Sequence, residues 1–358
     1  MNEKKFKTVY VGMSGGVDSS LSAALLKEEG YDVVGVFIKV WSPDFLPCDW
    51  KEERRDAMRV AAELDIPFKT YDFEDEYKKE VVDYMIREYK EGKTPNPDAM
   101  CNRYVKFGSF LNKALDEGAD YIATGHYAKI KKVGDKYELL KGEDENKDQS
   151  YFLWTLTQRD LGRTLFPVGE IKKPEVRKLA EKFKLSVANK KDSQGICFVG
   201  KIDVKEFLKN YIDEKRGDVL NTALEVVGYH DGAQFLTIGQ RHGFTITKKT
   251  PNDKPYYVVG KDIDKNTIIV STEILKEGLA STKKEVEIES VSWVSGEFPE
   301  NKKYQARLRY RQNLRDCVVE KRGEKTFTIF DELQENVTSG QSIVLYEGDK
   351  CLGGGVIV

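Results

Sequence analysis

Two rhythms of apolar positions divide the chain. Over roughly the first 200 residues, continuous apolar runs of strand length alternate with segments of helical spacing. TVYVGM (Thr8 to Met13) and YDVVGVFIKV (31–40) are runs expected of strands covered on both faces. Between them Leu21, Ala24 and Leu25 recur at helical spacing until Gly30 stops the pattern. KEERRDAMRVAAELD is a helix pattern closed by Pro67, FKTYDF a strand, EDEYKKEVVDYMIREYKEG a helix and ADYIATGHYA (119–128) a strand. This alternation predicts an α/β domain with a doubly wound parallel sheet and ligands at the carboxyl ends of its strands. The loop after the first strand, Gly125-His126 and the polar run after Val40 fall at such ends.

From about residue 205 the period shortens. LEVVGYHDGAQFLTIGQRHGF, KPYYVVGKDIDKNTIIV and KEVEIESVSWV are β-rich and punctuated by Gly, Asn and Asp turns, and KYQARLRYRQ through LGGGVIV continue in that style. The pattern predicts a catalytic domain over 1–204, a small central β-rich domain over 205–278 and a C-terminal β-barrel over 279–358.

Composition changes this picture little. Lys and Arg (58) nearly balance Asp and Glu (60), so any nucleic-acid surface must be local. MNEKKFKTVY is not a signal peptide and no apolar run approaches the length of a membrane span, so a soluble cytoplasmic protein is expected. Five cysteines, at 48, 101, 197, 317 and 351, form neither a disulfide scaffold nor a CxxC pair.

Candidate chemistry sits in four places. SGGVDS (Ser14 to Ser19) joins a strand to a helix, where bare N–H groups meet a helix N-terminus; this suits phosphate, with Asp18 orienting Mg²⁺ or a neighbouring donor. The loop lacks the lysine of GxxxxGK[ST]. In TPNPDAMCNRYVKFG (94–108), Cys101 stands near a helix start that favours thiolate, and Asp98 is close enough to exchange a proton; a buried, inert cysteine fits the same residues equally. Cys197 in NKKDSQGICFVG (189–200) reads as a reactive thiol or a core cysteine, and two loop thiols brought together by the fold permit disulfide exchange. Arg307, Arg309 and Arg311 are expected on one face of a strand with Leu308 and Tyr310 on the other, and Arg159, Arg163, Lys172, Lys173, Arg177, Lys178 and Lys182 make a second basic region; each fits an RNA surface or an ordinary solvated face. Cys48, Cys317 and Cys351 read as structural.

SGGVDS after a strand is the signature of the ATP pyrophosphatase loop. With NPDAMCN, ATGHYA, KDQSYFLW, DSQGICF, TIGQRHG, RYRQ and the terminal GGG, the chain resembles the tRNA-specific 2-thiouridylases from residue 8 to its end. The resemblance implies ATP-dependent adenylation of O2 of the wobble uridine of tRNA, with Mg²⁺, and release of pyrophosphate. It implies a nucleotide site at Gly12, Met13, Ser14, Gly15, Gly16, Val17, Asp18, Ser19, Ile38 and Gly125. Sulfur would arrive as a persulfide on Cys197 from a donor such as a cysteine desulfurase or relay protein. Cys101 would be the nucleophile, Asp98 the general acid/base, and a transient Cys101–Cys197 disulfide would form. Target-base and tRNA contacts map onto Asn96, Pro97, Asp98, His126, Lys147, Asp148, Gln149, Arg309, Tyr310 and Gln341. The family usually has Met at the position of Ile38 and Thr at that of Gln194. Three alternatives stand beside this reading: an ATP pyrophosphatase acting on a small molecule, an RNA-binding module with a structural loop, and an iron–sulfur enzyme with ligands such as Cys101, Cys197 and Asp98.

Overall fold

The computed structural model describes residues 6–45, 50–192, 204–247, 254–273 and 281–358. Cys48, Gln194 and Cys197 lie outside these residues. Strands β1 (Thr8–Gly12), β2 (Asp32–Lys39), β3 (Phe68–Asp72) and β4 (Tyr121–Ala123) form a parallel sheet with Thr164–Leu165, in the order β3-β2-β1-β4 and then Thr164–Leu165. Alternation along each strand buries both faces. Val9, Val11, Val33 and Phe37 pack with helix α1 (Val17–Glu28), with Ala57 and Val60 of Trp50–Glu63, and with Val176 and Ala180 of Lys173–Lys182. Tyr10, Val34 and Val36 face the other way, onto Tyr77, Val81 and Met85 of helix 74–90 and Val105, Phe110 and Leu111 of helix 97–116. The sheet is therefore doubly wound.

Both helices on that second face widen to π-helix in mid-course, at Lys78–Asp83 and at Cys101–Phe110. Such widening is rare and frequent at functional sites. Two strand expectations are corrected. The apolar run 119–128 is not one strand: β4 stops at Ala123, and a turn at Thr124–His126, closed by a 2.7 Å bond between Thr124 Oγ1 and His126 Nδ1, leads the chain out of the sheet. The following hairpin, Ala128–Val133 and Lys136–Lys141, joins the C-terminal sheet instead, pairing Leu139 and Leu140 with Cys351 and Lys350. The arginine strand likewise ends at Arg307, where the chain turns and Arg311 takes φ +62°, so Arg307, Arg309 and Arg311 do not share a strand face.

The central domain is a five-stranded sheet running Phe244–Ile246, Val226–His230, Gly217–Leu220, Thr267–Ser271, Tyr257–Asp262. The last six strands close on themselves, in the order Lys283–Trp293, Lys325–Gln334, Arg315–Arg322, Tyr304–Arg307, Ser342–Glu347, Lys350–Ile357, with the first pairing the last. This is the expected β-barrel, with Val286, Leu308, Phe330 and Leu345 in its core. Cys317 and Cys351 are buried in barrel strands, and burial pushes each thiol up to about 12, consistent with inert packing. Among the described residues no helix is long and apolar enough to cross a membrane.

Candidate active site

Met13 N–H donates to Val36 O at 2.8 Å, so the loop leaving β1 stays tied to β2. Gly15 has φ +73°, and a Cβ there would fall on the main chain of Glu53. The loop is braced by its own hydroxyls: Ser19 Oγ accepts from Ser14 N–H (3.1 Å) and Ser20 Oγ donates to Gly16 O (2.8 Å). Helix α1 begins at Val17 with no side-chain cap at Gly16, so its leading N–H groups are available to an anion. A Cβ on Gly125 would lie 2.6 Å from Ser19 N and 2.8 Å from Asp18 C; the Thr124–His126 turn thus sits directly on the first turn of α1. Ile38 lies at the carboxyl end of β2, its Cδ1 in ordinary contact range of a Cβ on Gly12. The ten expected nucleotide residues therefore converge.

Around this loop lies a charge cluster that sequence patterning did not reveal. Lys173 Nζ donates to Asp18 Oδ1 and Oδ2 (2.7 and 2.8 Å) and lies 2.8 Å from Asp192 Oδ1. Tyr127 hydroxyl donates to Asp18 Oδ1 (2.7 Å). Lys147 (2.6 Å) and Arg177 (2.8 Å) also grip Asp192. Burial of Asp192 opposes ionisation, but the bonds from Lys147 and Lys173 outweigh it and hold the carboxyl at about 2. Lys190 Nζ reaches Gly15 O (3.1 Å) and Asp56 (2.8 Å). Lys173 and Arg177, part of the second basic region, thus turn inward. These partners are spread from residue 18 to 192, with no spacing that marks them. Asp18 thus accepts from both Lys173 and Tyr127. Among the described residues no three His, Cys, Asp or Glu side chains form a metal cage.

The second half of the site is the segment after Lys93. Asn96 caps helix 97–116, its Oδ1 accepting from Ala99 N–H at 3.3 Å, with Pro97 at the first helical position. Cys101 is buried one turn further in, past the positions where the helix N-terminus acts most strongly; a thiolate there owes less to the dipole than the sequence suggested. Burial pushes the Asp98 carboxyl above its usual range, with Lys106 pulling it back. Burial holds the His126 imidazole well below its ordinary value, and Lys106 adds to that. His126 is therefore a neutral ring, lying against Phe107 (5.8 Å) and Phe166 (5.9 Å). Lys106 links the two halves, since Asp98 and His126 both feel its charge. No spacing in the sequence marks this lysine.

The barrel and central domain clamp this segment from below. Gln341 donates to Thr94 O (2.8 Å) and Thr94 N–H to Ser339 O (2.8 Å), while Thr94 and Thr237 share a hydroxyl bond of 3.1 Å. Arg309 Nη2 donates to Ile238 O, Asn336 O and Thr338 Oγ1, bridging central sheet and barrel. Asp148, 2 % exposed, accepts from Gly142 and Ser150 N–H and pairs with Arg307 at 3.3 Å. Gln149 accepts from Tyr127 N–H at 3.0 Å. The next residues dock into the barrel: Tyr151 hydroxyl donates to Ser342 O and Trp154 indole to Ser342 Oγ. Of the expected tRNA contacts, Asp148, Arg309 and Gln341 are thus engaged internally. Tyr310 stays partly exposed, packed on Phe152 with ring centroids 4.5 Å apart.

The family profile described as "tRNA methyl transferase HUP domain" matches residues 7–201. Companion profiles, "tRNA methyl transferase PRC-barrel domain" and "Aminomethyltransferase beta-barrel domain", match 205–272 and 283–357. The chain is similar to the tRNA-specific 2-thiouridylase MnmA of Streptococcus thermophilus, 44% identical over 100% of this chain and 96% of that protein. The Pseudomonas aeruginosa protein of the same name is 47% identical over 98% of this chain and 94% of its own.

The chain belongs to the tRNA-specific 2-thiouridylase family.

A 4-thiouridine synthetase–RNA complex with bound ATP overlaps at a TM-score of 0.37 and 19% identity, covering 57% of this chain and 50% of that one; an overlap of this size carries no argument about chemistry. Cys197, the other cysteine the family resemblance points to, lies outside the described residues.

Proposed function

We propose that this chain converts the wobble uridine of tRNA to 2-thiouridine by adenylating O2 and then replacing the adenylate with sulfur carried on Cys197. The outer frame, an ATP-using tRNA sulfurtransferase, follows from family membership. One observation carries the finer reading: Gly125 rests on Asp18 and Ser19, while the next residue, His126, lies against Phe107 of the Cys101 helix with ring centroids 5.8 Å apart. Phosphate chemistry and base chemistry meet across one turn of chain.

In the first step O2 of the uridine bonds to the α-phosphorus of MgATP, the bond to the bridging oxygen breaks, and pyrophosphate leaves into the 12–19 loop. A base modified on its edge must be unstacked. The Asn96-Pro97-Asp98 turn and the neutral wall of His126, Phe107 and Phe166 suit a flipped ring. In the second step Cys101 thiolate attacks the Cys197 sulfur of the persulfide, hydrosulfide leaves, and a Cys101–Cys197 disulfide forms. Hydrosulfide then adds at C2 and AMP departs. In the other order the terminal sulfur attacks C2 first and Cys101 then frees the product. Either way a thiol reductant supplies two electrons to reopen the disulfide. Asp98, held protonated to higher pH by burial, serves as the proton carrier.

The test is pyrophosphate release with MgATP, with and without tRNA bearing an unmodified wobble uridine, and with sulfide in half the samples, followed by mass analysis of nucleosides. tRNA-dependent release with a 2-thiouridine peak is expected. A folded, ATP-binding protein that gives neither overturns the reading.

A further inference from the structure

The ATP loop contains no lysine, yet a triphosphate needs a cation as well as N–H groups, and Asp18 in the first turn of α1 adds negative charge beside that site. The fold brings the cation from 155 residues away. Lys173 Nζ spans both oxygens of Asp18 and touches Asp192, so all three of its N–H donors are engaged at the loop. Its side chain is only 10% exposed. Its main chain is held independently, because Lys173 N–H donates to the buried carboxylate of Asp144 at 2.9 Å. Asp192 does not depend on Lys173, since Lys147 and Arg177 also hold it.

We propose that Lys173 is the phosphate-binding cation of this loop, with Asp18 the side chain that positions it. The inference rests on the ATP reading above. When MgATP or pyrophosphate enters, a phosphate oxygen takes the third N–H of Lys173 in place of Asp192, which keeps Lys147 and Arg177. Asp18 retains the other two donors and Tyr127, so the ammonium stays aimed at the loop. Lys190, on Gly15 O, approaches the same turn from the Asp56 side and adds to the local positive field.

The test is calorimetric titration of the full-length protein with MgATP and with pyrophosphate, beside a tRNA-binding control. Lys173→Met weakens both ligands about ten- to hundred-fold, the scale of a lost hydrogen bond to a charged group, and leaves tRNA affinity unchanged. The decisive variant is Asp18→Asn with Lys173→Met, in which the Asp18 carboxylate is gone and Asp192 keeps Lys147 and Arg177. It stays as weak as Lys173→Met alone. Recovery to near wild-type affinity in that double variant overturns the proposal, because Lys173 would then serve only to neutralise Asp18. Should Lys173→Met alone fail to fold, as judged by circular dichroism, the double variant, which leaves no unpaired Asp18, carries the test. Wild-type protein that binds neither ligand refutes the ATP reading itself; wild-type binding matched by Lys173→Met refutes this inference alone.

Discussion

The side-chain amide of Gln341, on the barrel, donates to the main-chain carbonyl of Thr94, two residues before the cap of the Cys101 helix, at 2.8 Å. A residue expected to touch tRNA thus holds the active-site segment from behind. Gln341→Ala is expected to lower kcat for thiolation about tenfold through a loosened Asn96-Pro97-Asp98 turn, with tRNA affinity within twofold of wild type. Single-turnover rates at saturating tRNA, set beside filter binding, check this. Weakened binding with unchanged kcat would assign Gln341 to the RNA instead.

Gly125 has no room for a side chain, because a Cβ would press on Ser19 N and Asp18 C. The strain falls on main chain, which cannot swing aside. Gly125→Ala should displace the first turn of α1 and weaken MgATP binding about tenfold, the equivalent of 1–2 kcal/mol of overpacking. Titration with MgATP reads the change directly.

Asp98 is a carboxyl whose folded pKa lies above its ordinary value because it is buried. Its protonated form is favoured in the fold, so the stability it contributes is full at low pH and is lost as pH rises through the raised pKa. Asp98→Asn, which cannot ionise, should gain in melting temperature over wild type as pH rises, while thiolation falls about a hundredfold or more. A variant both less stable and active would contradict this.

Asp192 has the opposite sign. Held at about 2 against a usual 3.8, its carboxylate contributes stability above about pH 4 that disappears as pH falls towards 2. Asp192→Asn should cost on the order of 2 kcal/mol at pH 7, and the difference from wild type should vanish in acid. Urea unfolding at pH 7 and near pH 2 tests both halves of the statement.

The cysteines separate by role. Cys317→Ser should cost about 1–3 kcal/mol for a hydroxyl placed in the buried apolar core of the barrel, yet leave the thiolation rate of the folded fraction intact. Cys101→Ser should keep the melting temperature and remove turnover. Melting curves paired with nucleoside mass analysis distinguish them.

Local chemistry along the chain already determined a good deal. The alternation of apolar runs and helical spacing specified a doubly wound sheet, because strands covered on both faces leave no polar positions. Ser-Gly-Gly after β1 marked the anion loop, because only glycine accommodates Gly15's φ and its closeness to Glu53. The Asn-Pro pair before Asp98 marked a helix start, because cap chemistry is confined to a few neighbouring residues. What those residues meet was decided only by the tertiary structure. Asp18 finds Lys173 and Tyr127, Asp98 and His126 share Lys106, and Gln341 reaches Thr94 across 247 residues. Charges and hydrogen bonds act over a few ångströms in space, and spacing along the chain carries no record of which distant side chains will come that close. The same reason explains the arginine run: its alternation matched a strand, but Arg307 and Arg309 had buried partners in Asp148 and the Ile238 carbonyl, and pairing them inside offset the cost of leaving water.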